Sequence, residues 1–169
     1  MQKDKGKFIV SLDFELYWGV RDVRTLESYK ANLDGVRVVV PALLQLFDDF
    51  DVHTTWATVG FLFYRDKKDL LQNIPPVFPI YSDPNLSPYP ALSSIGENER
   101  LDPYHFAASL VEQILKFPKQ ELATHTFCHY YCLESGQTAE TFRADLEAAK
   151  TAAARYGVKL HSLIFPRNQ

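Results

Sequence analysis

Short apolar runs alternate along this chain with longer stretches of helical period. Residues 8–12 form a β-rich run with few polar positions, as expected of a buried strand. In 34–49, Val36, Val40, Leu43 and Phe47 share one face at helical spacing. Pro41 lies inside that stretch, which places the start of the regular helix near Val38. Residues 54–59, β-branched and aromatic, read as a second strand, and 61–71 as a helix. Asp102-Pro103 reads as an N-cap with proline at the first helical position. The helix it opens carries Phe106, Leu110, Ile114 and Phe117 inward and stops at Pro118. Residues 121–124 read as a strand and 138–156 as a helix with Phe142, Leu146, Ala149 and Ala153 inward, closed by Gly157. A last strand is expected over 159–165.

One segment breaks the rhythm. Residues 73–101 hold six of the ten prolines and show no period. A proline-rich loop this long is either a surface excursion or a lid. The strand–helix alternation elsewhere predicts an α/β fold, a parallel sheet or barrel with right-handed crossovers. Ligands bind such folds at the C-terminal ends of the strands. Three polar clusters sit there: Asp13-Phe-Glu15, His125-Thr-Phe-Cys-His129 and Pro166-Arg-Asn168.

These clusters contain the parts of a mononuclear hydrolytic metal site. In extended chain Asp13 and Glu15 face the same side, with Phe14 opposite. Two adjacent carboxylates repel unless a cation or a shared proton compensates. His125 and His129, four residues apart, bring two imidazoles to one point. Two histidines, one carboxylate and an open position form a catalytic rather than a structural zinc arrangement. The free carboxylate then serves as general base, and Arg167 is placed to orient it through a two-pronged contact. Cobalt, nickel, manganese or iron(II) also suit such a site. The spacing alone equally describes two unrelated histidines, and Asp-x-Glu after a strand also serves as a cap or a solvated turn. Cys128 and Cys132 are either soft ligands or small buried hydrophobes. Trp18 either floors a sugar site or packs in the core; Trp56 and Phe165 read as core, and His53, His105 and His161 as structural.

Composition narrows the setting. The 169 residues suffice for one domain with a sizeable core. A net charge of -3 without Lys/Arg clusters gives no reason to expect nucleic acid or an anionic membrane. Two cysteines do not make a disulfide framework. The basic start is followed by an apolar run too short for a signal sequence, and no stretch is long enough to span a bilayer. A cytoplasmic protein is expected.

In this order the three clusters resemble the polysaccharide deacetylase superfamily, carbohydrate esterase family 4 (the NodB-homology domain). Ser11-Leu-Asp-Phe-Glu15 resembles a divergent Asp-x-Glu form of the family's Thr-Phe-Asp-Asp-Gly motif. His125-Thr-Phe-Cys-His129 matches its His-Ser/Thr-x-x-His motif, and Thr54-Thr-Trp-Ala-Thr-Val-Gly60 its Ala-Thr-Phe-Phe strand before a glycine. Phe165-Pro-Arg-Asn-Gln169 matches the Arg-Pro-Pro-x-Gly motif loosely. The resemblance covers almost the whole chain. It implies an incomplete, distorted (β/α) barrel, with Asp13 as base, Glu15, His125 and His129 as ligands of one divalent ion, Zn2+ first, and an acetylated sugar or glycan precursor as substrate.

The family pattern continues into further strands and a late Leu/Ile-x-x-His segment that supplies the general acid. No histidine follows His161 here, so the resemblance implies the N-terminal portion of a longer deacetylase. Two other functions fit the same residues: hydrolysis of C–N bonds in cyclic amides on this scaffold, and sugar binding without catalysis.

Overall fold

A computed structural model describes residues 6–168. At its centre lies a three-stranded, all-parallel sheet in the order β1 (Val10–Phe14), β2 (Thr54–Thr58), β3 (Gln120–Thr124). The register sets Asp13 beside Ala57 and Ala57 beside Ala123, so the strands end level at Phe14, Thr58 and Thr124. Four α-helices accompany the sheet among the described residues: α1 (Leu26–Asp49), α2 (Lys67–Gln72), α3 (Ala108–Ile114) and α4 (Ala139–Ala154). The fold is therefore mixed α/β with a small parallel sheet. No helix among the described residues is long and apolar enough to cross a membrane.

β1 lies two residues later than its apolar run suggests. Phe8 and Ile9 are exposed, and the strand takes in Asp13 and Phe14 instead. Pairing with β2 decides this, because the ladder runs from Val10–Thr54 to Phe14–Thr58. Phe14 packs edge-on against Trp56, while Asp13 points to solvent. The predicted opposition of Phe14 to the carboxylates is what the strand shows.

α1 begins eight residues before the expected start at 34. Thr25 caps it, its side-chain oxygen accepting from the Ser28 N–H. Leu33, Val40 and Leu44 form its buried stripe, with Val36, Leu43 and Phe47 beside it. Pro41 sits inside the helix. Tertiary packing of a 24-residue amphipathic helix outweighs the one backbone bond that proline forfeits.

The predicted helix 61–71 is two pieces, a 3-10 turn at Gly60–Phe63 and α2, separated where Asp66 bridges Asn98. The helix expected from Asp102 starts only at Ala108. The Asp102 carboxylate accepts instead from the Gly96 N–H and holds His105 Nδ1 at 2.8 Å. α4 starts within a residue of its expected position, at a capping box built by Thr138 and Thr141. Residues 159–165 run beside β3 but form only one bridge, Leu163 to Thr124, flanked by the bonds Thr124 N–H to Ser162 O and Ile164 N–H to Thr124 O. Phe165 is exposed rather than core.

The proline-rich segment is packed, not free. Tyr81, Leu86, Tyr89, Leu92 and Ile95 are buried, and two short 3-10 turns give it local order. Its backbone pairs with the turn after the histidines through Ile80 N–H to Gly136 O and Ser82 N–H to Ser135 O. Gly136, at φ 99°, allows this approach; a Cβ there would stand 1.9 Å from the Ile80 oxygen.

Candidate metal centre

The three level strand ends place the site. β1 leads directly into Glu15, and Leu16 turns back in the left-handed region at φ 50°. A 3-10 turn, Leu16–Gly19, follows and is anchored by Trp18. The Trp18 ring is buried, packs against Phe61 and His105, and donates its Nε1–H to the His105 carbonyl at 2.9 Å. This excludes Trp18 as a sugar floor, since at 1% exposure no face of its indole reaches solvent. Its role is to pin the turn that carries Glu15.

β3 leads into the histidines. His125 N–H donates to the Thr58 carbonyl of the neighbouring strand, so the chain leaves the sheet at a fixed height. The Gly60 and Phe61 N–H groups donate to the Thr126 and Phe127 carbonyls in turn. Gly60 must be glycine for this contact: a Cβ would meet the Phe127 Cα at 2.8 Å. The loop then folds back, with Thr126 and His129 both in the left-handed region at φ 66° and 61°.

The outcome is a compact triad of Glu15, His125 and His129, whose ligand atoms lie within 4.8 Å of one another. Glu15 Oε2 stands 3.2 Å from His125 Nε2 and 3.1 Å from His129 Nε2. Both imidazoles are buried and the carboxylate is three-quarters covered. Burial opposes ionisation of Glu15, but hydrogen bonds and charge from the two imidazoles outweigh it and lower its pKa from the ordinary 4.5 to about 2. Gly19 makes room for this carboxylate, because a Cβ there would lie 1.9 Å from Glu15 Cδ.

The donor set fits a divalent cation. Ligands about 2.0–2.1 Å from a tetrahedral ion stand roughly 3.3 Å apart, close to both measured edges. His125 supplies the sharper test. Its Nδ1 lies 3.0 Å from the Ile164 carbonyl oxygen, an acceptor only, so Nδ1 carries the proton. Its Nε2 then faces a Glu15 carboxylate oxygen 3.2 Å away. Either a second ring proton or a metal cation between the two atoms makes that contact attractive. A carbonyl behind a histidine is also the usual outer-shell partner of a metal ligand. His129 differs, for its Nδ1 is buried with no hydrogen-bond partner among the described residues.

Asp13 is on the same side as the triad. Its Oδ1 is 3.9 Å from His125 Nδ1, and its side chain is half exposed, free of the ligand cluster. Arg167 is elsewhere engaged. At φ 56° it directs its guanidinium onto Asp22, with Glu134 3.7 Å away and the Tyr131 ring 4.3 Å beneath it. The expected two-pronged contact between Arg167 and Asp13 is therefore not formed. Instead Arg167 reaches the site indirectly, since Tyr131 donates to Asp22 and sets its ring edge-on to His129. Cys128 is buried and Cys132 half-buried, both outside the triad; burial raises both thiol pKa values.

No local pattern singles out Gly19, Asp22, Tyr131 or the Ile164 carbonyl. Gly19 and Ile164 act through their backbone geometry, which no residue type announces. Comparison with known proteins returned no match: no family model, no curated protein and no solved structure matches the chain.

Proposed function

We propose that the chain is a metal-dependent hydrolase that removes an N- or O-acetyl group from a sugar or glycan precursor. The observation that carries the metal is the cluster of Glu15, His125 and His129, whose ligand atoms lie within 4.8 Å of one another, with His125 Nδ1 occupied by the Ile164 carbonyl and Nε2 facing Glu15. Glu15, His125 and His129 would hold it, with zinc the first choice for two imidazoles and a carboxylate. A divalent ion there supplies Lewis acidity toward an acyl carbonyl and acidifies water.

The chain's own residues divide the remaining work. Glu15 is committed to the two histidines and is held ionised. Asp13 is not so committed; half exposed and 3.9 Å from His125, it is positioned to take the proton from an attacking water. Its lack of a hydrogen-bonded partner in the ligand cluster leaves its lone pairs available. Ile164 O orients the His125 ring by accepting from Nδ1, which leaves Nε2 facing Glu15. The sugar as substrate, and the (β/α) barrel to which the three parallel strands would belong, rest on the resemblance of the Asp13, His125 and Arg167 clusters to the polysaccharide deacetylases.

The test is metal-loaded turnover. Zn2+- or Co2+-loaded protein should release acetate from N-acetylated sugars, and Asp13→Asn should retain the metal while losing at least about 100-fold in rate. Absence of divalent-metal binding by the wild-type chain refutes the metal centre. Turnover of cyclic amides in place of acetylated sugars reassigns the substrate.

A further inference from the structure

The two histidines are oriented by different means. His125 has an outer-shell partner, the Ile164 carbonyl, and leaves β3 under a bond to Thr58. His129 has neither, because its Nδ1 is buried without a partner. Its ring direction therefore follows the backbone that carries it. That backbone is unfavourable by itself: Thr126 and His129 are both left-handed, a conformation that residues with a Cβ disfavour.

What holds the loop in this shape is a carboxylate from the far side. Asp145 lies on the inward face of α4, 1% exposed, one turn before Ala149. Its Oδ1 accepts the Phe127 N–H at 2.7 Å and its Oδ2 the Cys128 N–H at 3.1 Å. Two successive peptide N–H groups thus converge on one side chain. No Lys, Arg or His nitrogen lies within ion-pair distance of it among the described residues. A buried carboxylate without a counter-charge is costly, and an alanine would continue the run of Ala149, Ala152 and Ala153 at that face. The acid provides what alanine lacks: two acceptors set side by side for two parallel donors. Asparagine matches its shape but presents an NH2 to one of those N–H groups.

Resting on the metal-centre reading above, we propose that Asp145 is the positioning residue of His129. It replaces the missing outer-shell hydrogen bond by fixing the two peptide units that precede the histidine. It touches no ligand atom. Its effect passes through the Phe127–Cys128 backbone to the direction of the His129 Cα–Cβ bond, and ligand sets tolerate only about 0.5 Å of error.

The experiment titrates Co2+ into wild-type, Asp145→Asn and Ala152→Gly proteins, reads the visible spectrum, and follows amide exchange at Phe127 and Cys128. Asp145→Asn should bind Co2+ about 10- to 100-fold more weakly, in the range for outer-shell changes, with a spectrum shifted toward fewer nitrogen ligands. Ala152→Gly loosens the same helix without touching the loop and should leave affinity and spectrum unchanged. Wild-type affinity in Asp145→Asn overturns the proposal, as does equal weakening by an Ala152→Gly variant of matched stability. If wild-type protein takes up no Co2+, the metal centre falls while amide exchange still decides the latch. Protection of Phe127 and Cys128 comparable to β3 amides, lost in Asp145→Asn, supports it; rapid exchange in the wild type overturns it. The wild-type exchange measurement also decides the matter should Asp145→Asn fail to fold.

Discussion

Replacing Gly19 by alanine perturbs the centre through one methyl group. The new Cβ would stand 1.9 Å from Glu15 Cδ and 2.1 and 2.3 Å from its two oxygens. Carbon atoms in contact prefer about 3.5–4.0 Å, so the carboxylate must retreat by roughly 1.5 Å or more. The Glu15 oxygen lies 3.1 and 3.2 Å from the two imidazole nitrogens, and no motion of that size preserves both edges. The side chain is flexible and partly exposed, so it moves away rather than distorting the core. The triad then becomes a histidine pair. Losing a direct ligand exceeds the 10- to 100-fold expected for an outer-shell change, so Zn2+ or Co2+ affinity should fall by at least about 100-fold, or about 2.7 kcal/mol. Stability should change little, because Gly→Ala removes about 0.4–1 kcal/mol of unfolded-chain freedom and partly offsets the lost Glu15 contacts. Isothermal titration with Zn2+ alongside a urea melt separates the two effects. Wild-type affinity in a folded Gly19→Ala protein would refute the assignment of Glu15 as a ligand in this geometry.

Four further outcomes are expected. Glu15→Gln should fold and lose metal affinity by a similar factor; a turnover loss at unchanged zinc stoichiometry and affinity would instead mark Glu15 as the base. Trp18→Ala should cost about 3–5 kcal/mol in a urea melt, whereas a raised KM at unchanged stability would restore the sugar-floor role. Gly60→Ala drives a Cβ against the Phe127 backbone, so it should lower stability and metal affinity together, and near-wild-type values for both would show that the loop can shift. Burial raises the Asp145 carboxyl from the ordinary 3.8 to about 6, against the hydrogen bonds it accepts. The folded state therefore holds a proton that the unfolded state has released. The Asp145 contribution to stability is therefore fully present below about pH 4 and falls by about 3 kcal/mol as pH rises to about 6. Urea melts of wild type and Asp145→Asn across pH 4–7 should diverge by that amount, and parallel profiles would contradict it.

Much of the fold was legible because the relevant signals are local. β2, β3 and α4 lie within a residue or two of their predicted limits, since β-branched runs and a helical apolar period are written in neighbouring residues. The misplacements share a cause. β1 moved because its partner, not its own hydrophobicity, sets the register. α1 grew past Gly35 because Leu26, Tyr29 and Leu33 find the core. The Asp102 helix start failed because that carboxylate had a better use on Gly96 and His105. Arg167 went to Asp22 because the turn at φ 56° aims it there, a direction no spacing encodes.

The sequence by itself determined which chemistry is available: two imidazoles four apart and two carboxylates two apart, each just beyond an apolar run. Period and composition are enough for that, because strand and helix faces are read from neighbouring residues. Tertiary structure alone decided which atoms meet. Glu15 joined the histidines and Asp13 stayed apart because a left-handed Leu16, a buried Trp18 and an absent Cβ at Gly19 turn one toward the imidazoles and leave the other half exposed. His125 owes its tautomer to a carbonyl 39 residues away, and the peptide N–H groups before His129 meet a carboxylate on α4. Contacts of that kind depend on distances between segments far apart in the chain, which folding sets and local pattern does not record.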